Sequence, residues 1–208
     1  MSEIKWVFLD VGSTLVDESD VYESRCNYVI RAKGLEHDEF IEKVHQAAKV
    51  SPTPIKQAAQ TYGVTLPEWN SSLEKLYLGT EDVLKALSGK YKLGIIANQL
   101  AGTQKRLHNW GVLQYFDVVA ASAEAGYEKP DLRIFKLALE QAGCNPQNAI
   151  MVGDRLENDI APARQLGMKT IWVRQGFAKY QSVEKECEKP DYIIENIGEI
   201  VKVLMGRT

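Results

Sequence analysis

Three aspartates, a lysine and an asparagine stand where strand ends would gather them: Asp10, Asn98, Lys129, Asp154 and Asp159. Packed carboxylates raise one another's pKa unless a cation neutralises them. An all-oxygen set with no nearby His or Cys suits a hard ion, Mg²⁺ above all, which keeps several waters and uses one or two carboxylates. A lysine opposite that ion would hold a second anion, such as phosphate. An aspartate beside the ion and facing a phosphoryl group can attack it, forming an aspartyl-phosphate that water later hydrolyses. Metal, lysine and loop amides would hold the transferring oxygens. Each residue also has a plain structural reading: Asp10 as a turn or cap, Asp154 as an N-cap, Asp159 as a favourable acid in a first helical turn, Lys129 as a solvated residue before Pro130, Asn98 as a turn. Their order along successive strand ends favours the chemistry.

The elements that would position them follow from apolar patterning. Lys5 to Leu9 (KWVFL) is a short apolar run ended by Asp-Val-Gly-Ser, a buried strand followed by a turn. From about Asp17 to Tyr77 the composition shifts to charged and alanine-rich stretches at helical spacing, broken at Ser51-Pro52-Thr53-Pro54, Gly63 and Pro67, with no strand expected. Thr80 is then expected to N-cap a helix that carries Glu81 and Asp82 in its first turn. Strands are expected at Leu93 to Ala97, Phe116 to Ala120, Ala149 to Val152, Thr170 to Val173 and Tyr192 to Ile194. Helices around Thr103 to Trp110, Ile134 to Ala142, up to Leu166, and through Ile197 to Leu204 separate or follow them. This alternation implies α/β architecture: a doubly wound parallel sheet, a Rossmann-like core of residues 1–16 and 79–208, with an inserted helical cap at 17–78. Ligands of such sheets bind beyond the strands' carboxyl ends, which is where the five residues fall.

Composition sets bounds. A chain of 208 residues, 45% apolar and 25% charged, supports one full core plus a smaller appendage and does not resemble a disordered sequence. A net charge of −3, with basic and acidic residues interleaved, argues against a nucleic-acid partner. The apolar run before Asp10 is too short for a signal segment or a membrane span, so a cytoplasmic protein without a membrane partner is expected. Cys26, Cys144 and Cys187 are odd in number, far apart, and outside metal-ligand spacing of one another or of any histidine. They read as free thiols of a reducing compartment. Trp69, Tyr77 and Trp110 read as core or ordinary surface, leaving monomer or homodimer open.

Over nearly its full length the chain resembles the haloacid dehalogenase superfamily. DVGSTL is similar to that family's first motif, LGIIAN to its second, Lys129 in YEKPDLRIF to its third, and GDRLENDI to its fourth; WGVLQYFDVVAASAEAG and PDYII are similar to family segments as well. The resemblance implies a hydrolase with Asp10 as nucleophile and metal ligand, Asp154 as metal ligand, Lys129 steadying nucleophile and phosphate, and Asp159 supporting the metal shell. It makes Gly12 a metal ligand through its backbone carbonyl and puts Thr14, Asn98 and Lys129 on the phosphate of a small phosphorylated substrate, with Mg²⁺ as cofactor. The insert would close over the site, with Tyr22 or Arg25 facing it.

Two positions depart from the family pattern. Gly12 stands where a second aspartate usually acts as acid and base, and Ala97 where a phosphate-holding hydroxyl is usual. General acid–base help is worth roughly 10²- to 10⁴-fold, so its loss would slow turnover without abolishing it. Three alternatives to a phosphatase stay open: a binding protein that keeps the fold without turnover, a metal-independent 2-haloacid dehalogenase, and, most distant, a receiver-type signalling domain.

Overall fold

A computed structural model describes residues 3–206. In chain order the elements are β1 (Trp6–Leu9), β2 (Val16–Asp17), α1 (Ser19–Lys33), α2 (His37–Ala48), α3 (Pro54–Gln60), β3 (Lys75–Leu76), α4 (Thr80–Ser88), β4 (Lys92–Ala97), α5 (Thr103–Asn109), β5 (Val118–Ala121), α6 (Ser122–Ala125), α7 (Leu132–Gln141), β6 (Ala149–Gly153), α8 (Ala161–Gln165), β7 (Lys169–Val173), β8 (Tyr192–Ile194) and α9 (Ile200–Met205). Six strands form one parallel sheet in the order β5-β4-β1-β6-β7-β8. The chain winds outward from β1 through β4 and β5, then returns to β1's other edge for β6, β7 and β8. The reversal puts the ends of β4, β1 and β6 side by side, where such sheets bind ligands.

Strand residues alternate between two buried layers, because successive side chains point to opposite faces. Val7, Leu9, Leu93, Ile95, Ile150 and Val152 pack with Leu84, Leu87, Ile197 and Ile200 on one face. Phe8, Ile96 and Met151 pack with Ile134, Phe135, Ala138 and Leu139 on the other. Both faces are covered, so the strands read as continuous apolar runs. Gly94 is required by this packing: a Cβ there would lie 2.5 Å from the Phe8 ring.

Between β2 and β3 the chain forms α1, α2 and α3 around a separate apolar cluster of Cys26, Val29, Phe40, Val44, Ile55, Ala58 and Ala59. The expectation of a strand-free insert is corrected at its base. β2 and β3 pair antiparallel, Val16 opposite Leu76 and Asp17 opposite Lys75, as a short ribbon through which the insert leaves and re-enters the core.

Other local expectations also shift. Thr80 does not cap α4. Gly79 in the left-handed region precedes the helix, and the Thr80 hydroxyl donates to the Leu15 carbonyl at 3.2 Å, tying α4 to the loop after β1. β5 starts at Val118 rather than Phe116, after a 3-10 turn over Leu113–Tyr115. The helix after β6 begins as a π turn over Leu156–Ile160 before α8. No helix among the described residues is long and apolar enough to cross a membrane. Tyr77 and Trp110 are half-buried against the core.

Candidate active site

The chain leaves β1 still bonded to the sheet, with the Asp10 N–H donating to the Val152 carbonyl at 2.9 Å. It then folds back sharply: the N–H groups of Leu15 and Val16 both donate to the Val11 carbonyl, at 2.9 and 3.0 Å, with Ser13 at φ 52°. Gln175, beyond β7, clamps this loop. Its side-chain amide donates to the carbonyls of Ser13 and Thr14, and its oxygen accepts the Ile197 N–H. Thr14, expected on the phosphate, is fully buried, and its hydroxyl oxygen has no hydrogen-bond partner among the described residues.

Lys129 is 4% exposed, and its ammonium donates to Asp10 Oδ1 at 2.7 Å and to Asp159 Oδ1 at 2.5 Å. Asn98 at the end of β4 holds the lysine's backbone: the Lys129 N–H donates to Asn98 Oδ1 at 2.7 Å, and Asn98 Nδ2 donates to the Lys129 carbonyl at 2.9 Å. Because a backbone N–H can only donate, this pair fixes which way the amide points. Asn98, expected to touch phosphate, is thus engaged in positioning Lys129.

Asp10, Asp154 and Asp159 each present a carboxylate oxygen, and the three lie within 4.8 Å of one another, all buried. Asp159 arrives on the π turn, a distortion frequent at functional sites. Its Oδ2 accepts the Arg155 N–H at 2.9 Å, and it packs so tightly under Gly153 that a Cβ there would overlap its carboxyl. The Asp154 carbonyl accepts the Trp172 indole N–H, while its carboxylate has no hydrogen-bond partner among the described residues.

Burial pushes the Asp154 carboxyl well above the ordinary range, with Asp10 and Asp159 adding to the rise against the opposing Arg155. Burial also raises Asp159 to about 6, Lys129 opposing. For Lys129 burial alone would lower the pKa, but Asp10 and Asp159 outweigh it and hold the ammonium above its ordinary value. Three buried carboxylates against the Lys129 ammonium and the Arg155 guanidinium still leave unbalanced negative charge, and the donors are oxygens of the kind a hard divalent cation takes.

Beyond these strand ends lies a cavity of about 360 Å³, lined by Glu18, Trp69, Glu74, Asn98, Gln99 and Arg106 among others. The insert closes over the neighbouring region through Arg155, whose guanidinium donates to the carbonyls of Ser51 and Pro52 at 3.0 Å each. Of the two insert residues expected to face the site, Tyr22 reaches it, its hydroxyl donating to Glu18 Oε2 at 2.5 Å. Arg25 instead donates to the Pro67 carbonyl and lies 5.3 Å over the Trp69 ring.

Glu18, Gln175 and Arg155 went unread in the sequence. Glu18 is the most consequential: burial raises its carboxyl to about 7 against hydrogen bonds from Tyr22 and Ser13 that lower it. Its only sequence signal is an acid next to a helix start, indistinguishable from an ordinary capping residue.

The family model described as haloacid dehalogenase-like hydrolase matches residues 7–173. The chain belongs to that family and is a hydrolase of its phosphatase-like kind. It is 29% identical over 201 residues to the glyceraldehyde 3-phosphate phosphatase of Methanothermobacter thermautotrophicus, covering 95% of this chain and 87% of that one. It is 31% identical over 228 residues to the protein of the same name from Methanopyrus kandleri, covering 97% of each. Among solved structures, a HAD phosphatase from Thermococcus onnurineus superposes with a TM-score of 0.67 at 25% identity, over 98% of this chain and 99% of that one.

Proposed function

We propose that this chain is a Mg²⁺-dependent phosphatase of a small phosphate monoester that works through an aspartyl-phosphate on Asp10. The observation that carries the reading is the buried group at the strand ends: Asp10 paired to Lys129, with Asp154 and Asp159 within 4.8 Å. Asp10 and Asp154 would hold the ion, Gly12 contributing its carbonyl and Asp159 flanking the set. When bound, Mg²⁺ would neutralise the carboxylates and polarise the phosphoryl oxygens.

The chain's own residues do the rest. Lys129 orients the Asp10 carboxylate through its hydrogen bond, and its ammonium offers a donor to a phosphoryl oxygen; Asn98 fixes that lysine. Asp10 attacks phosphorus, the ester oxygen departs, and water cleaves the aspartyl-phosphate. The insert, residues 17–78, acts as a cap over the core of residues 1–16 and 79–208, and Arg155 latches it and excludes water. Such an enzyme would act on free metabolites in the cytoplasm, without a nucleic-acid or membrane partner.

The test is hydrolysis of a panel of phosphate monoesters, glyceraldehyde 3-phosphate included, with Mg²⁺ or with EDTA, beside Asp10→Asn. Expected is phosphate release that disappears in EDTA and in the variant. A second reading, retained ion binding without turnover, rests on Gly12 and Ala97, which lack the side chains for proton and phosphate handling. Mg²⁺ uptake without release of phosphate from any ester would favour it, whereas halide release from 2-haloacids without metal would mark a dehalogenase.

A further inference from the structure

Phosphoryl transfer through Asp10 moves a proton twice. The departing alkoxide must gain one, and the water that attacks the aspartyl-phosphate must lose one. Asp10 is committed as nucleophile, Lys129 lies between two carboxylates, and Asp154 and Asp159 belong to the acidic cluster. Two further buried carboxyls line the same cavity; that of Glu74 is taken up by the Trp69 indole N–H at 2.6 Å and the Arg106 guanidinium at 4.0 Å, which leaves Glu18. Glu18, 8% exposed, follows β2 and folds back over Gly12.

A Cβ built at position 12 would lie 2.5 Å from Glu18 Oε1 and 3.1 Å from Oε2, so this carboxyl fills the space that a side chain at 12 would take. Its Oε2 is pinned by the hydroxyls of Ser13 at 2.9 Å and Tyr22 at 2.5 Å. Its Oε1 accepts no hydrogen bond from any described residue. The carboxyl is therefore oriented through one oxygen and available through the other.

Building on Asp10 as the nucleophile, we propose that Glu18 is the proton-carrying catalytic residue of this site. As an Asp10 oxygen bonds to phosphorus, the bond from phosphorus to the ester oxygen breaks. That oxygen leaves with its electron pair and takes the Glu18 proton. Water then bonds to phosphorus, returns a proton to the Glu18 carboxylate, and the phosphorus–Asp10 bond breaks to release phosphate and restore Asp10. Glycine at 12 is accommodated because the carboxyl comes from six residues further along the chain.

The experiment compares phenyl phosphate with p-nitrophenyl phosphate, similar in shape but differing in the acidity of the leaving phenol. Wild type, Glu18→Gln, Glu18→Ala and the double variant Gly12→Asp/Glu18→Ala are measured with Mg²⁺. The Glu18 single variants should lose about 10²- to 10⁴-fold in kcat/KM on phenyl phosphate and much less on p-nitrophenyl phosphate, whose phenolate leaves unaided. Glu18→Gln should also release a burst of nitrophenolate equal to the enzyme present, because the second step stalls. The double variant, which returns a carboxyl to the same space, should recover phenyl phosphate hydrolysis. Equal losses on both esters, no burst and no recovery would overturn the role of Glu18 while leaving Asp10 in place. Absence of Asp10-dependent turnover in wild type would instead overturn the phosphatase reading, and this role with it.

Discussion

Replacing Lys129 by Met removes an ammonium that two buried carboxylates share while keeping a chain of similar length. Asp10 and Asp159 lose their hydrogen bonds of 2.7 and 2.5 Å at once, with Asp154 still close by. Removing one partner of a buried ion pair typically costs about 3–5 kcal/mol, and two orphaned carboxylates place this variant toward the upper end. Against a total stability of about 5–15 kcal/mol, that is a large fraction. The loss is bounded, because an orphaned carboxyl can take up a proton. It should therefore be largest near pH 8 and shrink toward about pH 5. Saturating Mg²⁺ should restore much of the stability by supplying the missing positive charge, as expected of a ligand that binds only the folded state. Urea denaturation of both proteins, in EDTA and in Mg²⁺ at the two pH values, reads all three effects. A Lys129→Met protein within about 0.5 kcal/mol of wild type in EDTA near pH 8 would refute the reasoning, since that is the range of an ordinary surface change.

Three further outcomes are expected. Glu18 has its carboxyl raised from 4.5 to about 7 by burial, so the folded state disfavours its ionised form; the penalty is absent below pH 4.5, grows as pH rises, and is complete above 7. Glu18→Gln should thus stabilise the metal-free protein by about 3 kcal/mol near pH 8 and leave it unchanged near pH 4, read from denaturation midpoints. Asn98→Ala strips both backbone partners from Lys129 and should lower stability by about 1–3 kcal/mol and reduce kcat more than it raises KM, as steady-state kinetics and melts would record. Arg155→Ala cuts the two bonds to Ser51 and Pro52 and should speed amide hydrogen exchange over residues 50–60 while α7 exchanges at its usual rate.

The sheet was legible because each of its strands carries an apolar run, which burial on both faces demands of the inner strands though not of the edge strand β8, where Tyr192 and Ile193 are exposed; the expected strands lie within two residues of those observed. The ribbon of β2 and β3 was not, since two-residue strands are defined by pairing across the whole insert rather than by local pattern. Thr80 has the right residue type for a cap, yet left-handed Gly79 takes the N-cap position, and Thr80, one residue inside the helix, donates its hydroxyl to the Leu15 carbonyl. The π turn leaves no mark in LENDI; it arises where the buried Asp159 reaches back to the Arg155 N–H.

At the site, Asp10, Lys129, Asp154 and Asp159 were readable from type and position, and the structure brings all four together. Asn98 was found but expected on phosphate, whereas its amide is taken up by the Lys129 backbone. Thr14 was expected there too and is fully buried. Glu18 was invisible because its place depends on the loop after β1 folding back, a tertiary event with no periodicity to announce it.

The most direct measurement is acid quenching of the protein within its first turnovers of p-nitrophenyl phosphate and Mg²⁺, followed by mass spectrometry of the peptide that contains Asp10. A phosphoryl group on Asp10, absent from Asp10→Asn, is expected. Sustained hydrolysis with Asp10 never modified would contradict the covalent role assigned to it.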